Sequence, residues 1–167
     1  VLRAFDIPFE EIIIPLRTPD SRARVLEYSP SGKVPALIHQ GRLIWESLAI
    51  CEYLAELFPA AGLWPEDRDA RAHARSAACE MHAGFAELRR NLRMDLKQQR
   101  PGHPRTDGTE QDIARITALW GEARRQYGAG GPFLYGRFTI ADAMFAPVVT
   151  RFHTYGVPLE PVAADYV

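Results

Sequence analysis

The chain has 167 residues, 47% of them hydrophobic, with 20 Lys and Arg against 21 Asp and Glu and a formal net charge of −1. That length holds one large domain or two small ones with an ample core, and the near-neutral charge, with Arg scattered among Asp and Glu, offers no basic stripe to nucleic acid. No apolar run approaches the ~18 residues needed to span a membrane, and no signal-peptide core is present, so the expectation is a cytoplasmic protein with no membrane partner.

Val1 to Asp6 reads as the last turns of a helix that has already begun, because no cap or turn precedes it. Ile7-Pro8 breaks that helix, and Phe9 to Leu16 (FEEIIIPL) has the β-branched composition of a strand, with Pro15 at its end or edge. Thr18-Pro19-Asp20 opens a short helix over about Ser21 to Tyr28, with Arg22 and Arg24 exposed. Ser29-Pro30-Ser31-Gly32 is a turn leading through Val34-Pro35 into an apolar run, Ala36 to Ile38. Gln40-Gly41 reverses the chain and Leu43 to Trp45 returns, which reads as a hairpin. Ser47 is the expected N-cap of the next helix, and residues 48–58 are apolar around almost the whole circumference, so this helix is expected to be buried on most sides. A helix that joins parallel strands needs a strand before it. None precedes Val1, so the sequence is expected to lack roughly 15–25 residues at its N-terminus, one strand and the start of a helix.

Pro59 to Glu66 carries two prolines and a glycine and reads as a linker, dividing an α/β domain over 1–60 from an all-helical domain over 66–167. In the second, Ala74, Ala78, Met81, Phe85, Leu88 and Leu92 recur at steps of four and three, predicting one long amphipathic helix from Asp67 to about Arg100, ended by Pro101-Gly102-His103-Pro104. A helix from about Thr109 to Tyr127 carries Ile113, Ile116, Trp120, Ala123 and Tyr127 at the same steps, and Gly128 to Pro132 ends it. Thr139-x-x-Asp142 is an aspartate variant of the capping box, which makes both residues structural caps. Pro147 is expected to bend the following helix or to lie near a break. Tyr155 to Pro158 reads as a loop, and Val162 to Val167 as the start of a further helix that the sequence leaves unfinished.

Cys51 and Cys79 form no CxxC pair and fall inside predicted helices, which argues against a disulfide scaffold or zinc ribbon. Cys51 shares a face with Leu48, Leu54 and Phe58 and is expected to be a buried, inert thiol. The five histidines have no metal-ligand spacing, so no metal is expected.

Two backbone features then face one region: a proline-interrupted strand start at Val34-Pro35 and a helix start headed by Glu46-Ser47. A strand edge offers N–H and C=O groups to an extended peptide, and a helix N-terminus offers unpaired N–H groups to a carboxylate, a combination that suits a short acidic peptide. The residues alone leave two readings: an ordinary edge-strand proline beside a capped helix, or a cis proline that turns the peptide groups of Val34 toward such a ligand.

SPSGKVPALI followed by WESLAICEYLAE closely resembles the glutathione-binding half of the soluble glutathione S-transferases, and the likeness extends over nearly the full chain. The resemblance implies a thioredoxin-like N-terminal domain, its first strand missing from the sequence, followed by an all-α domain. In that fold the missing strand lies between the strand at 9–16 and the hairpin. The resemblance also implies a cis bond at Val34-Pro35, the cysteinyl main chain of glutathione paired with Val34, and the γ-glutamyl group held by Glu46 and Ser47. The Ser47 hydroxyl and N–H suit the γ-glutamyl carboxylate, and Glu46 suits its ammonium. Lys33 is a candidate for the glycyl carboxylate. Met81, Phe85 and Met94 are candidates for an electrophile pocket, weighed against the core role that an apolar stripe usually has. Arg89, Arg90 and Arg93 are weighed as attractors of an anionic substrate against a solvated helix face.

The implied chemistry is attack of the glutathione thiolate on a small electrophile, or a glutathione-dependent isomerisation, by a homodimer without a metal. Lowering a thiol pKa by ~2 units takes ~2.7 kcal/mol, within reach of one or two hydrogen bonds to the sulfur. The family supplies that donor from a loop expected to precede Val1, so no catalytic residue is assigned. A non-catalytic binding module on the same fold and a glutathione-dependent thiol-disulfide exchanger are the alternatives.

Overall fold

A two-residue turn organises the sheet of the N-terminal part. Gln40 and Gly41 both adopt positive φ, 50° and 76°, the conformation whose twist matches that of the flanking strands in a tight hairpin. The strands are β1 (Ala36–His39) and β2 (Arg42–Trp45), antiparallel, with Ala36 opposite Trp45 and His39 opposite Arg42. The computed structural model describes residues 1–129 and 131–167, and the chain divides into two compact units, Val1–Ala61 and Gly62–Val167.

The first unit opens with a 3-10 turn, Leu2–Phe5, closed by Asp6 in the left-handed region. The short helix is α1 (Ser21–Tyr28), and the helix after the hairpin is α2 (Ser47–Leu57). Val25, Ser29, Ile50, Cys51 and Leu54 are buried where these pieces meet. His39 Nδ1 and the Tyr53 hydroxyl lie 2.7 Å apart and tie the hairpin to α2.

Three expectations in this unit are corrected. Residues 9–16 form no strand, because among the described residues the only sheet is β1 with β2 and nothing pairs with this segment. A strand exists by its ladder, and without one Ile12 and Ile13 remain exposed. Ser47 is the first helical residue, and Glu46 occupies the N-cap position. Helix α2 buries only Ile50, Cys51 and Leu54, one face and not most of its circumference.

The second unit contains α3 (Arg68–Ala83), α4 (Ala86–Asn91), α5 (Asp107–Tyr127), α6 (Ile140–Tyr155) and a single turn, α7 (Pro161–Ala164). Asp67 caps α3 by accepting from the N–H groups of Asp69 and Ala70. The single helix expected over 67–100 is broken at Gly84 and Phe85 and ends at Asn91, nine residues short. Phe85 has φ 59°, and a Cβ on Gly84 would lie 2.7 Å from the Glu80 carbonyl oxygen, so only glycine lets the chain turn there. The apolar face survives the break, since Ala74, Ala78, Met81, Phe85, Leu88 and Leu92 are all buried.

The core is centred on Trp120, which is fully buried against the rings of Phe145, Phe152 and Tyr166. Helix α6 continues through Pro147, which lies inside it. The helix expected over 162–167 is only the turn α7. Of the stop expected over 128–132, Gly128 ends α5, and Gly130 lies outside the described residues.

Candidate functional site

The turn before the hairpin is built from its own hydroxyls. Ser29 Oγ and Ser31 Oγ are 2.9 Å apart, Lys33 N–H donates to Ser31 Oγ at 3.2 Å, and Gly32 closes on the Ser29 carbonyl at 3.0 Å with φ 66°. The Val34-Pro35 peptide bond that follows is cis. Val34 is half-exposed, and among the described residues neither its N–H nor its C=O has a hydrogen-bond partner. Lys33 is exposed beside it.

The register decides what this segment faces. Pro35 immediately precedes Ala36 and Glu46 immediately follows Trp45, and Ala36 and Trp45 are opposed. Val34-Pro35 and Glu46-Ser47 therefore share the open end of the hairpin, at the point where α2 begins. The N–H groups of Ser47, Leu48 and Ala49 lie in the first turn and have no acceptor inside the helix. Glu46 closes the first helical bond through its carbonyl, which accepts from Ile50 at 2.9 Å, and its side chain makes no capping bond.

Glu46 has φ 69° and ψ 126°. A non-glycine residue is rarely found there, and such outliers concentrate where the surroundings over-determine the backbone, functional sites among them. Sequence reading could not have found this, since a glutamate carries no signal for positive φ. Nearby, burial pushes the Cys51 thiol up from its ordinary pKa, which keeps it protonated and unreactive.

In the helical unit the other candidates are distributed differently. Met81 and Phe85 are buried in the core, and Met94 is half-exposed in the segment after α4. None of them lines the cleft of about 410 Å³ bounded by Pro65, Glu66, Asp67, Tyr127, Tyr135 and Arg137. Thr139 and Asp142 form a capping box at the start of α6: the Thr139 N–H and hydroxyl donate to Asp142 Oδ2 at 2.8 and 2.9 Å. Asp142 Oδ1 accepts from Leu134 N–H at 3.0 Å and from the Tyr166 hydroxyl at 3.2 Å. Burial raises the Asp142 carboxyl, opposed by the bonds from Leu134 and Thr139. Its oxygens are taken up by these donors.

The family model described as "Glutathione S-transferase, N-terminal domain" matches residues 1–57, and the one described as "Glutathione S-transferase, C-terminal domain" matches residues 72–166. The probable maleylacetoacetate isomerase of Caenorhabditis elegans is 28% identical over 158 residues, covering 93% of this chain and 72% of that protein. The maleylacetoacetate isomerase of Pseudomonas aeruginosa is 31% identical over 146 residues, covering 81% of this chain and 64% of that protein. Among solved structures, a Burkholderia glutathione transferase homolog with bound glutathione is 26% identical with a TM-score of 0.68, covering 99% of this chain and 77% of that one.

Proposed function

This chain belongs to the glutathione S-transferase family, and on that premise we propose that it binds glutathione and transfers its thiolate to a small electrophile or uses it in an isomerisation. The fold is that of the family, a thioredoxin-like first unit and a helical second one. The observation that carries the proposal is the Ala36–Trp45 register, which favours one ligand spanning Val34-Pro35 and Glu46-Ser47. An extended cysteinyl main chain matches the unpaired peptide groups of Val34. Ser47, with its hydroxyl and a free helix-start N–H, suits the γ-glutamyl carboxylate, and the Glu46 carboxylate suits the ammonium. Lys33 stands near enough in sequence to reach the glycyl end.

The relatives' names support a glutathione-dependent isomerase as readily as a conjugating transferase. In either case the work of these residues is to hold and orient the tripeptide so that its thiol meets the second substrate without loss of orientation. Met81, Phe85 and Met94 remain the proposed apolar contacts for that substrate. Two free cysteines agree with a reducing, cytoplasmic setting. A homodimer is favoured by the exposed small residues Ala72, Ser76, Cys79 and Ala83 along α3, which allow close approach of a second helix.

The test is glutathione-dependent turnover. Incubation with glutathione and an activated aryl halide is expected to consume thiol faster than the uncatalysed reaction. A cis-trans isomerisation of an unsaturated acid that requires glutathione but does not consume it would select the isomerase form. Failure of both, with no mixed disulfide formed from oxidised glutathione, would leave a binding module.

A further inference from the structure

The cleft of about 410 Å³ where the chain enters α3 lies wholly within the helical unit. Glu66 and Asp67 line it from the entry to α3, and Tyr127, Tyr135 and Arg137 line it from the end of α5 and the loop that follows. Both signs of charge therefore stand on one wall beside two aromatic rings.

These charges are not paired off. Arg115, Arg3 and Arg124 meet their carboxylates at 2.7, 2.6 and 2.6 Å, whereas Arg137 Nη2 stays 3.7 Å from Glu66 Oε1 and 3.4 Å from the Trp64 carbonyl, too far for strong hydrogen bonds. Among the described residues the Arg137 Nε and Nη1 have no acceptor. Gly62 makes the room for this guanidinium, since a Cβ there would collide with it. Asp67 is fixed differently: its Oδ1 accepts from the N–H groups of Asp69 and Ala70 at 3.0 and 2.8 Å, and among the described residues Oδ2 has no donor.

The rings complete the wall. Tyr127 and Tyr135 stack with centroids 6.0 Å apart and planes inclined by 25°, and His73 tilts against them at 5.4 and 6.0 Å. The Tyr135 hydroxyl is tied to His73 Nδ1 at 2.8 Å, while among the described residues the Tyr127 hydroxyl has no partner. A plain carboxylic acid would satisfy Arg137 and set its charge against Glu66 and Asp67, and a plain amine would do the reverse. A zwitterion meets both sides with charge-assisted hydrogen bonds. An α-amino acid carries its carboxylate and ammonium on one carbon, which suits opposite charges that are already neighbours on the wall, and an aromatic side chain can stack on Tyr127. The volume is that of a small-molecule site.

We infer that this cleft binds an aromatic α-amino acid, with its carboxylate on Arg137, its ammonium on Glu66 and Asp67, and its ring against Tyr127. The site is separate from the tripeptide site and does not depend on glutathione binding.

The experiment is calorimetric titration of the whole chain with L-phenylalanine and with three analogues: phenethylamine, which lacks the carboxylate, 3-phenylpropanoate, which lacks the ammonium, and L-alanine, which lacks the ring. Phenylalanine is expected to bind saturably and each analogue at least tenfold more weakly. Arg137→Gln is expected to weaken phenylalanine at least tenfold and to hold phenethylamine no more weakly than the parent does. Glu66→Gln, at an exposed position, is the second variant: it is expected to weaken phenylalanine and to spare 3-phenylpropanoate, a split that general loss of structure would not produce. Excess glutathione is expected not to displace phenylalanine. Absence of saturable phenylalanine binding, equal binding of any analogue, parent-like binding by both variants, or displacement by glutathione would overturn the inference.

Discussion

Ala36 and Trp45 stand opposite each other at the open end of an antiparallel hairpin, and this pairing brings the residue before one, Pro35, and the residue after the other, Glu46, to the same end of the sheet. The proposed tripeptide site follows from that register, because a slip by one residue would turn every side chain of the hairpin to the other face.

Ser47→Ala is expected to weaken glutathione binding by roughly tenfold to a hundredfold, the equivalent of a hydrogen bond to a charged group at about 1.5–3 kcal/mol. Its melting temperature is expected to stay near that of the parent, since among the described residues the Ser47 hydroxyl makes no hydrogen bond. Calorimetric titration and a thermal melt of the same sample check both statements. A large fall in melting temperature would show that the hydroxyl is structural.

Glu46→Gly separates strain from binding. A glutamate at φ 69° and ψ 126° costs on the order of 1–3 kcal/mol, and glycine relieves that while adding about 1 kcal/mol of chain entropy in the unfolded state. The variant is expected to lose affinity for glutathione and to melt above Glu46→Ala, which loses the same side chain but keeps the Cβ that disfavours positive φ. Equal melting temperatures of the two variants would mean that the conformation is not strained.

Asp142→Ala removes the acceptor for four donors, the Thr139 N–H, the Thr139 hydroxyl, the Leu134 N–H and the Tyr166 hydroxyl. Leaving such groups unpaired costs about 2–4 kcal/mol in total, a fall in melting temperature on the order of 10 °C for a chain of this size. Asp142→Asn keeps one acceptor oxygen and is expected to fall between parent and alanine.

The α3–α5 ion pair makes a pH prediction. Arg115 donates from Nε and Nη2 to the two Glu80 oxygens at 2.7 and 2.8 Å, and this holds the Glu80 carboxyl below its ordinary range. A depressed folded pKa contributes stability above the unfolded value of 4.5 that is lost as pH falls through the folded pKa. The pair is largely solvent-facing, so its contribution is about 0.2–1 kcal/mol at low salt. The stability difference between parent and Glu80→Gln, measured by urea denaturation, is expected to be present at pH 6, to vanish toward pH 3, and to shrink with added salt.

How far the sequence disclosed the molecule depended on whether its signal was local. The Gln40-Gly41 turn and the Thr139-x-x-Asp142 cap are local, and both elements form where their residues said they would. Residues 9–16 have the composition of a strand, but pairing is not local, and among the described residues nothing pairs with them. The apolar face from Ala74 to Leu92 read as one helix because a break that keeps the same face buried leaves the periodicity intact. The carbonyls freed at that break are taken up by Arg89, a tertiary bond that no spacing announces. Glu46 was singled out for its carboxylate, and its backbone conformation was invisible until the fold was in hand.

The central claim is that Glu46 and Ser47 hold the γ-glutamyl head of a tripeptide whose cysteinyl main chain lies along Val34. The most direct measurement is calorimetric titration of the chain with glutathione and, in parallel, with cysteinylglycine, which keeps the thiol and the glycyl carboxylate but lacks the γ-glutamyl group. We expect saturable binding of glutathione and at least a tenfold loss for the dipeptide. Equal binding of the two, or no binding of glutathione, would contradict the claim.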